Sequence, residues 1–406
     1  MRAFFLIIPL MFAAFAPARA QTAGEIIARH TQAGTINAGA QALQNMVTAR
    51  PGDANAVQAL GFMQMAQAVE ALGQGLHRYG LIAPRGSLLP ILRMPVPDNP
   101  NPEKLDYAKL RAVYVRFLAD LAKAEGTLAR IPATGDVKFV LDLAKVRLDL
   151  NGDGRADDNE TLGVILAALG VRGNLESWEV AFDRADGTWL RGYTHVLSSF
   201  LEFVLAYDWQ ETYGATAQHF FKGARDANNP LHRMDTGNPL VARDTPALVD
   251  AVALIHLVRW PLVEPERMKR ARGHLKQVVT LSRQNWREVM AETDDDREWL
   301  PNPRQKSRAI TVGEVTEERV TAWLQVVDEF EALLDGRKLL AHWRFEKGID
   351  MKAFFEQPRP FDLVLWATGH GAVPYLKEGP LVSSETTRQW QMLFGGQFFT
   401  YAFWFN

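Results

Sequence analysis

The chain has no cysteine among its 406 residues. It therefore forms no disulfide and no thiolate metal site, and any metal it binds must be held by oxygen or nitrogen ligands. It also lacks an excess of charge of one sign, since 45 Lys and Arg residues stand against 47 Asp and Glu residues. This near-balance does not favour a nucleic-acid partner.

Beyond the first twenty residues, the sequence has no apolar run long enough to cross a bilayer. Those twenty residues combine Arg2, an apolar stretch from Phe4 to Phe15, and the small-x-small triplet Ala18-Arg19-Ala20. This order is typical of a secretory signal peptide, whereas a membrane anchor needs a longer run of ~20 apolar residues. We therefore expect cleavage after Ala20 and a periplasmic or secreted mature chain without a transmembrane segment.

Complete catalytic signatures are missing as well. The sequence contains no HExxH, GxSxG, GxGxxG or GxxxxGK motif, which are the patterns of zinc proteases, serine hydrolases, dinucleotide-binding domains and P-loop enzymes. Apolar residues make up 47% of the chain, with 22 Phe and 11 Trp, enough for a substantial core. The sequence thus favours a large globular protein whose role is non-enzymatic.

What is present is mainly helical periodicity. Residues 21–84 are Ala-rich and predict a helix, a Pro-Gly-Asp turn and two further short helices. Within residues 37–84, Leu60-Gly61, Ala71 and Pro84 resemble the small-residue pattern of a tetratricopeptide hairpin, which implies a peptide-binding surface. Residues 85–102 are rich in proline, which disfavours both helix and central strand, so they predict an extended connector.

Residues 103–406 predict a helical body. Apolar residues recur at a spacing near 3.6 through Leu110, Val113, Phe117 and Leu121, and similar patterns continue to about residue 334. We therefore expect a mainly α fold, a multi-helix bundle or helical-repeat-like body. The C-terminal QFFTYAFWFN alternates aromatic residues and predicts a terminal strand or extended segment on the helical core; a single such segment does not make a membrane barrel.

The stretch DLNGDGRADDNE, residues 149–160, gathers five acidic side chains in twelve residues. It fits the pattern D-x-[DN]-x-[DN]-G-x5-E at every fixed position and resembles the EF-hand calcium-binding loop. The resemblance implies a Ca²⁺ site with Gly154 at the sharp turn, where a positive φ is needed. The ligands it implies are side chains of Asp149, Asn151, Asp153 and Asp157, the backbone carbonyl of Arg155, and both oxygens of Glu160.

The flanks of this loop are apolar on both sides. Phe139, Val140, Leu143 and Val146 precede it, and Leu162, Ile165, Leu166 and Leu169 follow it, so we expect the loop to clamp two helices. Position eight is Ala156, smaller than the residue that bridges paired EF-hand loops, and the sequence has no second loop. The pattern therefore predicts a lone, structural calcium site; the alternative is a solvated acidic turn without metal.

A second polar feature lies in the apolar helical stretch at residues 182–209. Arg191, His195, Ser198 and Glu202 are spaced four, three and four residues apart and share one narrow face. Arg191, His195 and Glu202 are the candidate catalytic residues, with His as general base, Arg as anion anchor and Glu as orienting carboxylate. The alternative is a buried network that ties the helix to its neighbours, which the ~16 Å between Arg191 and Glu202 favours.

The sequence leaves three functions open. The first is a calcium-stabilised exported protein with a binding or structural role in the cell envelope, whose partner is an unknown protein or small molecule. The second is a periplasmic hydrolase-type enzyme that uses the His195 face. The third is an envelope assembly factor that binds peptides through the N-terminal helices.

Overall fold

The computed structural model describes residues 21–82, 94–168, 176–226, 228, 229, 232, 245–306, 315–382 and 388. The predicted signal peptide and the aromatic C-terminal segment lie outside the described residues. The described part is mainly helical, as predicted. Its α-helices are α1 Ala23–Gln32, α2 Ile36–Ala49, α3 Ala54–Arg78, α4 Tyr107–Leu128, α5 Leu162–Ala168, α6 Arg184–Ala206, α7 Gln210–Phe220, α8 Thr245–Leu257, α9 Pro265–Ala291, α10 Glu317–Leu334, α11 Met351–Glu356 and α12 Leu363–Ala367.

The N-terminal segment consists of α1, α2 and α3. Thr22 caps α1 in a reciprocal arrangement with Glu25, and the side chain of Asp53 caps α3 by accepting the N–H of Ala56 at 3.0 Å. The prediction of two short helices after the Pro-Gly-Asp turn is wrong, because α3 is one helix of 25 residues. Gly61 and Gly73 lie inside this helix, at positions where the side chains of Leu128 and Leu150 approach too closely for a Cβ atom.

Helix α6 lies at the centre of the fold. It packs most extensively against α9 and also against α4 and α3. Its N-terminus is capped by Asp183, whose side chain accepts the N–H of Ala185 at 2.8 Å. The basic face of α9 is neutralised by acids of α10 and its C-terminal end, for example by the ion pair between Arg283 and Asp328 at 2.6 Å.

The strands are short and antiparallel. They are β1 Phe139–Asp142, β2 Glu179–Phe182, β3 Arg259–Trp260, β4 Gly348–Ile349, β5 Phe361–Asp362 and β6 Leu376–Lys377, paired as β1–β2, β3–β5 and β4–β6. In the first pair, Phe139 lies opposite Phe182 and Asp142 opposite Glu179. The expectation of a helix before the acidic loop is therefore wrong: β1 stands there, because its partner β2 supplies backbone hydrogen bonds from forty residues away.

One hydrophobic cluster runs from Ala23 in α1 to Tyr375 near the C-terminal end of the described part. It includes residues of the N-terminal helices, of β1 and β2, and of α6, α9 and α10, so the N-terminal segment is packed on the body. A second cluster joins α3, α4 and α7 around Leu72, Phe117 and Phe221. Among the described residues, no helix has the length and apolar content that a membrane span requires.

Candidate functional site

The acidic loop, residues 149–160, folds around the side chain of Asp149. Its Oδ1 accepts the N–H of Gly152 at 2.7 Å and that of Asp153 at 3.2 Å, and its Oδ2 accepts the N–H of Gly154 at 3.0 Å. Gly152 and Gly154 have φ angles of +77° and +84°, which glycine adopts without steric cost. The positive φ predicted at Gly154 is confirmed.

Glu160 closes the far end of the acidic loop, and its side chain is fully buried at 0% exposure. Its Oε1 accepts the N–H of Leu150 at 3.0 Å and its Oε2 that of Asp157 at 3.0 Å. The carboxylate therefore joins both arms of the loop. Because a carboxylate has about four lone-pair positions, Glu160 retains acceptor capacity beyond these two bonds.

The other predicted ligands lie at the surface. Asp153 and Asp157 are exposed, and Asn151 and Asp153 each accept a backbone N–H two residues further on at 2.8 Å. No three carboxylates of this loop bring one oxygen each within 4.8 Å of one another. The backbone thus has the turn that a cation loop needs, while exposed carboxylates have to rotate inward for six to eight oxygens to surround Ca²⁺.

Glu70 of α3, which sequence reasoning missed, lies against the start of the acidic loop. Its Oε2 accepts the N–H of Asp149 at 3.0 Å, and it is 6% exposed. Burial, with a smaller contribution from the charges of Asp149 and Glu160, raises the pKa of Glu70 to about 7. The signal in the sequence was a single carboxyl group inside the apolar run from Ala68 to Leu72.

The small residue at position eight of the acidic loop has a local explanation. A Cβ added to Gly34, in the turn between α1 and α2, would lie 2.7 Å from the Cβ of Ala156. Gly34 has a φ of +65°, and next to it the N–H of Arg147 donates to the carbonyl of Thr31 at 2.9 Å. Ala156 is therefore packed on the N-terminal helices, where a paired EF-hand would place a second loop.

An apolar cavity lies behind the acidic loop, with a volume of about 220 Å³. It opens partly to the surface and is lined mainly by α1, α3, α4, α5, α6, both strands of the β1–β2 pair and the segment between β1 and the acidic loop. Its lining residues carry no charge and are almost all apolar: Ile27, Thr31, Phe62, Met65, Ala66, Val69, Leu72, Met94, Phe117, Leu141, Leu143, Val146, Leu148, Leu162, Ile165, Leu166, Phe182, Trp189, Leu190, Tyr193, Leu197 and Trp299.

A separate acidic group comprises Asp183, Glu292 and Glu298, and one oxygen from each lies within 4.8 Å of the other two. Burial, followed by the charge of Asp183, raises the pKa of Glu292 to about 9, and burial raises that of Glu298 to about 7. Asp183 also caps α6, and its carboxylate shares a hydrogen bond with Glu292. The raised pKa values favour protonated forms of Glu292 and Glu298, which lowers the repulsion within this partly buried group.

The polar stripe of α6, which is Arg191, His195 and Glu202, is divided between two neighbouring helices. Arg191 donates to Oε1 of Glu125 in α4 at 3.0 and 3.2 Å. Nδ1 of His195 lies 2.8 Å from Nδ1 of His274 in α9, and its Nε2 lies 3.5 Å from the same oxygen of Glu125. Hydrogen bonding from His195, and then from Arg191, lowers the pKa of Glu125 despite its burial.

Glu202 belongs to a different group of charges. It is 4% exposed and accepts from Arg267 at 2.9 Å and from Arg270 at 2.8 Å, both in α9. The structure thus does not bring Arg191, His195 and Glu202 together into one site. None of the three lines the apolar cavity, and Glu125, His274, Arg267 and Arg270 are the partners that sequence reasoning did not find.

Comparison with known proteins finds no match: no family model, no curated protein and no solved structure is similar to this chain. The functional argument therefore depends on the geometry of the acidic loop, the stripe and the cavity.

Proposed function

We propose that this chain is an exported, calcium-stabilised protein with a non-enzymatic binding or structural role in the cell envelope. The observation that carries the calcium assignment is the fully buried carboxylate of Glu160, beside the buried Glu70. In the described part of the chain, neither forms an ion pair with a Lys, Arg or His side chain. Buried carboxylates are costly unless they are paired, protonated or bound to a metal.

The residues of the loop fit a hard divalent cation. Asp149 and Glu160 are already held by backbone N–H groups, and the amide oxygen of Asn151 and the carboxylates of Asp153 and Asp157 lie on the same short turn. Ca²⁺ accepts six to eight oxygen ligands in flexible geometry, whereas Mg²⁺ demands an octahedron and sheds water reluctantly. A bound Ca²⁺ would hold the two arms of the loop together and remove the repulsion among its acids.

The role that follows is structural. The acidic loop contacts α3 through Glu70 and the α1–α2 turn through Ala156, so a metal there fastens the N-terminal helices to the body. Export is supported by the signal-peptide pattern. Outside the cytoplasm, a weak calcium site is sufficient, with a Kd of about 10⁻⁴ to 10⁻³ M. The hydrolase alternative has less support, because both ring nitrogens of His195 contact side chains of neighbouring helices, Glu125 of α4 and His274 of α9.

The test is thermal unfolding of the processed chain in 10 mM CaCl₂ and in EDTA. Binding to the native state alone should stabilise it by about 1–3 kcal/mol at this concentration, which corresponds to a rise of several degrees in Tm. Glu160→Gln should remove most of the rise. Glu266→Gln, which removes an exposed acid of α9, should leave the rise unchanged, and equal Tm values in both buffers for the wild-type chain would contradict the proposal.

A further inference from the structure

The apolar cavity is larger than ordinary packing defects. Protein interiors are packed as densely as organic crystals and contain few voids larger than a water molecule, whereas this cavity measures about 220 Å³. An apolar cavity of about 150 Å³ stays dry and binds a molecule the size of benzene. An apolar cavity of this size that opens partly to the surface has space for a ligand and a route for its entry.

The lining defines the chemistry of that ligand. Among the described residues, no Asp, Glu, Lys, Arg or His lines the cavity, and the hydroxyl group of Thr31 donates to the carbonyl of Ile27 at 2.7 Å. A charged group in this cavity would lose its hydration without gaining a partner. Phe62, Met65 and Val69 remain only partly buried although they belong to the core-facing side of α3, which is apolar surface that an uncharged hydrocarbon would cover.

The acidic loop controls one wall of the cavity. Val146 and Leu148 immediately precede the loop, Leu162 and Ile165 follow it, and all four line the cavity. The two flanks are joined by backbone hydrogen bonds from Leu148 to Glu160 at 2.9 Å and from Leu162 to Val146 at 2.8 Å. A change that spreads or draws together the arms of the loop therefore moves apolar residues of this wall.

We propose that the cavity is a binding site for an uncharged hydrocarbon group, a small free hydrophobe or the acyl chain of a lipid, and that calcium in the acidic loop strengthens this binding. The proposal names the ligand class of the binding role above and rests on that role for its calcium dependence. Calcium fixes the loop arms and hence the wall, so ligand and metal favour the same conformation. Because such coupling is reciprocal, the ligand raises calcium affinity by the same factor.

The experiment uses the processed full chain and the neutral fluorescent probe N-phenyl-1-naphthylamine, titrated in 10 mM CaCl₂ and in EDTA. We expect saturable binding that is at least fivefold tighter with calcium, within the usual range of coupling between sites. Calcium affinity is measured separately by calorimetry, with and without saturating probe, and should rise by the same factor.

Two variants place the probe in the cavity. Ala66→Leu and Val69→Phe add volume to the lining from α3 and should weaken probe binding tenfold or more while calcium affinity without probe stays within twofold. Ala38→Leu is the matched control for Ala66→Leu, because it adds the same volume at an exposed position of α2. This control should change neither probe affinity nor calcium affinity. Probe binding that survives both lining variants would overturn the cavity as the site.

Competition distinguishes the two sources of hydrocarbon. Displacement of the probe by dodecan-1-ol but not by dodecanoate supports a neutral free ligand; displacement by both supports an acyl chain whose head group stays outside. Displacement by neither overturns the assignment. Tight probe binding without any calcium binding would refute the calcium role but keep the hydrocarbon site, whereas calcium binding without probe binding would do the reverse.

Discussion

The acidic loop and the polar stripe of α6 both gather charged side chains, yet they compensate them differently. In the stripe, Arg191 is paired with Glu125, and Glu202 lies between Arg267 and Arg270. In the loop, the partners of Asp149 and Glu160 within the described part of the chain are backbone N–H groups, and Glu70 adds a further buried acid beside them. Charge that is matched by opposite charge holds helices together, whereas acid held only by backbone dipoles has capacity for a cation.

The two regions should therefore differ in the source of their stability, which is ion pairs within the chain for the stripe and a bound cation for the loop. The charges of the stripe are paired by other residues of the chain, so its stability should not depend on calcium concentration. Loop stability should depend on calcium concentration, since a ligand stabilises only in proportion to its occupancy. Changes to each region should therefore differ in size and in their response to calcium.

The largest effect is expected from Glu202→Ala. Removing this buried carboxylate takes the ion-pair partner from Arg270 and leaves Arg267 with Glu264 alone, and breaking a buried pair costs about 3–5 kcal/mol. We expect the low end, about 3 kcal/mol, because the side chain of Arg270 is 49% exposed. The free energy of unfolding in urea measures the loss, which should be equal in CaCl₂ and EDTA.

The control for this change is Glu103→Ala, which removes an exposed ion pair with Arg78 at 3.8 Å and should cost less than about 1 kcal/mol. A loss for Glu202→Ala no larger than the control would show that the stripe contributes little to stability, and the comparison between paired and unpaired charge would fail.

Gly34→Ala should have the next largest effect. Its φ of +65° costs a non-glycine residue about 1–2 kcal/mol, and the new Cβ would also press on Ala156 of the acidic loop. We expect lower stability by chemical unfolding and weaker calcium binding by calorimetry. Gly52→Ala is the matched control, because nothing lies within 4 Å of its added Cβ; calcium affinity unchanged by Gly34→Ala would mean that this contact does not support the loop.

The acids Asp183, Glu292 and Glu298 provide a pH-dependent test of a third way to handle charge. The pKa of Glu292 rises from 4.5 to about 9 through burial and the charge of Asp183, so the folded chain holds a proton that the unfolded chain has released. Its stabilising contribution is complete below pH 4.5 and lost as the pH rises to about 9.

The slope from one such proton is at most about 1.4 kcal/mol per pH unit, and partial exposure of Glu292 should reduce it. Glu292→Gln should flatten the decline in unfolding free energy between pH 7 and 9. An unchanged slope in this variant would assign the decline to other groups.

The conformation of the acidic loop was accessible from sequence because its determinants are local. Acids at alternate positions and Gly154 dictate turns within a few residues, and the structure has the predicted left-handed glycine there. The helical character of α4, α9 and α10 was equally local. What failed was the segment before the loop, where Val140, Leu143 and Val146 have helix-like spacing but strand β1 pairs with β2.

The partners of the stripe and the existence of the cavity could not be predicted from the sequence, because both depend on contacts between residues far apart in the chain. Glu125 and Arg191 are 66 residues apart, and His195 and His274 are 79 apart, so periodicity within one helix contains no information about which residue faces it. The cavity arises from how five helices and a strand pair fail to fill the space between them. Glu70 alone left a local trace, as the single acid on an apolar helical run.

The smallest effect concerns two adjacent acids within the loop itself. Asp157 occupies position nine of the EF-hand-like pattern and is a predicted ligand, directly or through water, whereas Asp158 is 93% exposed and pairs with Arg147 at 2.6 Å. Asp157→Asn should weaken calcium binding about fivefold, or about 1 kcal/mol.

Asp158→Asn removes the same charge one residue away and should change affinity less than twofold, because an exposed pair is screened by solvent. Calorimetric titration measures the calcium affinity of both variants, which have the same net charge and differ only in which Asp is replaced. Equal losses would show that the loop attracts calcium only through its net charge, and position nine would then have no special role.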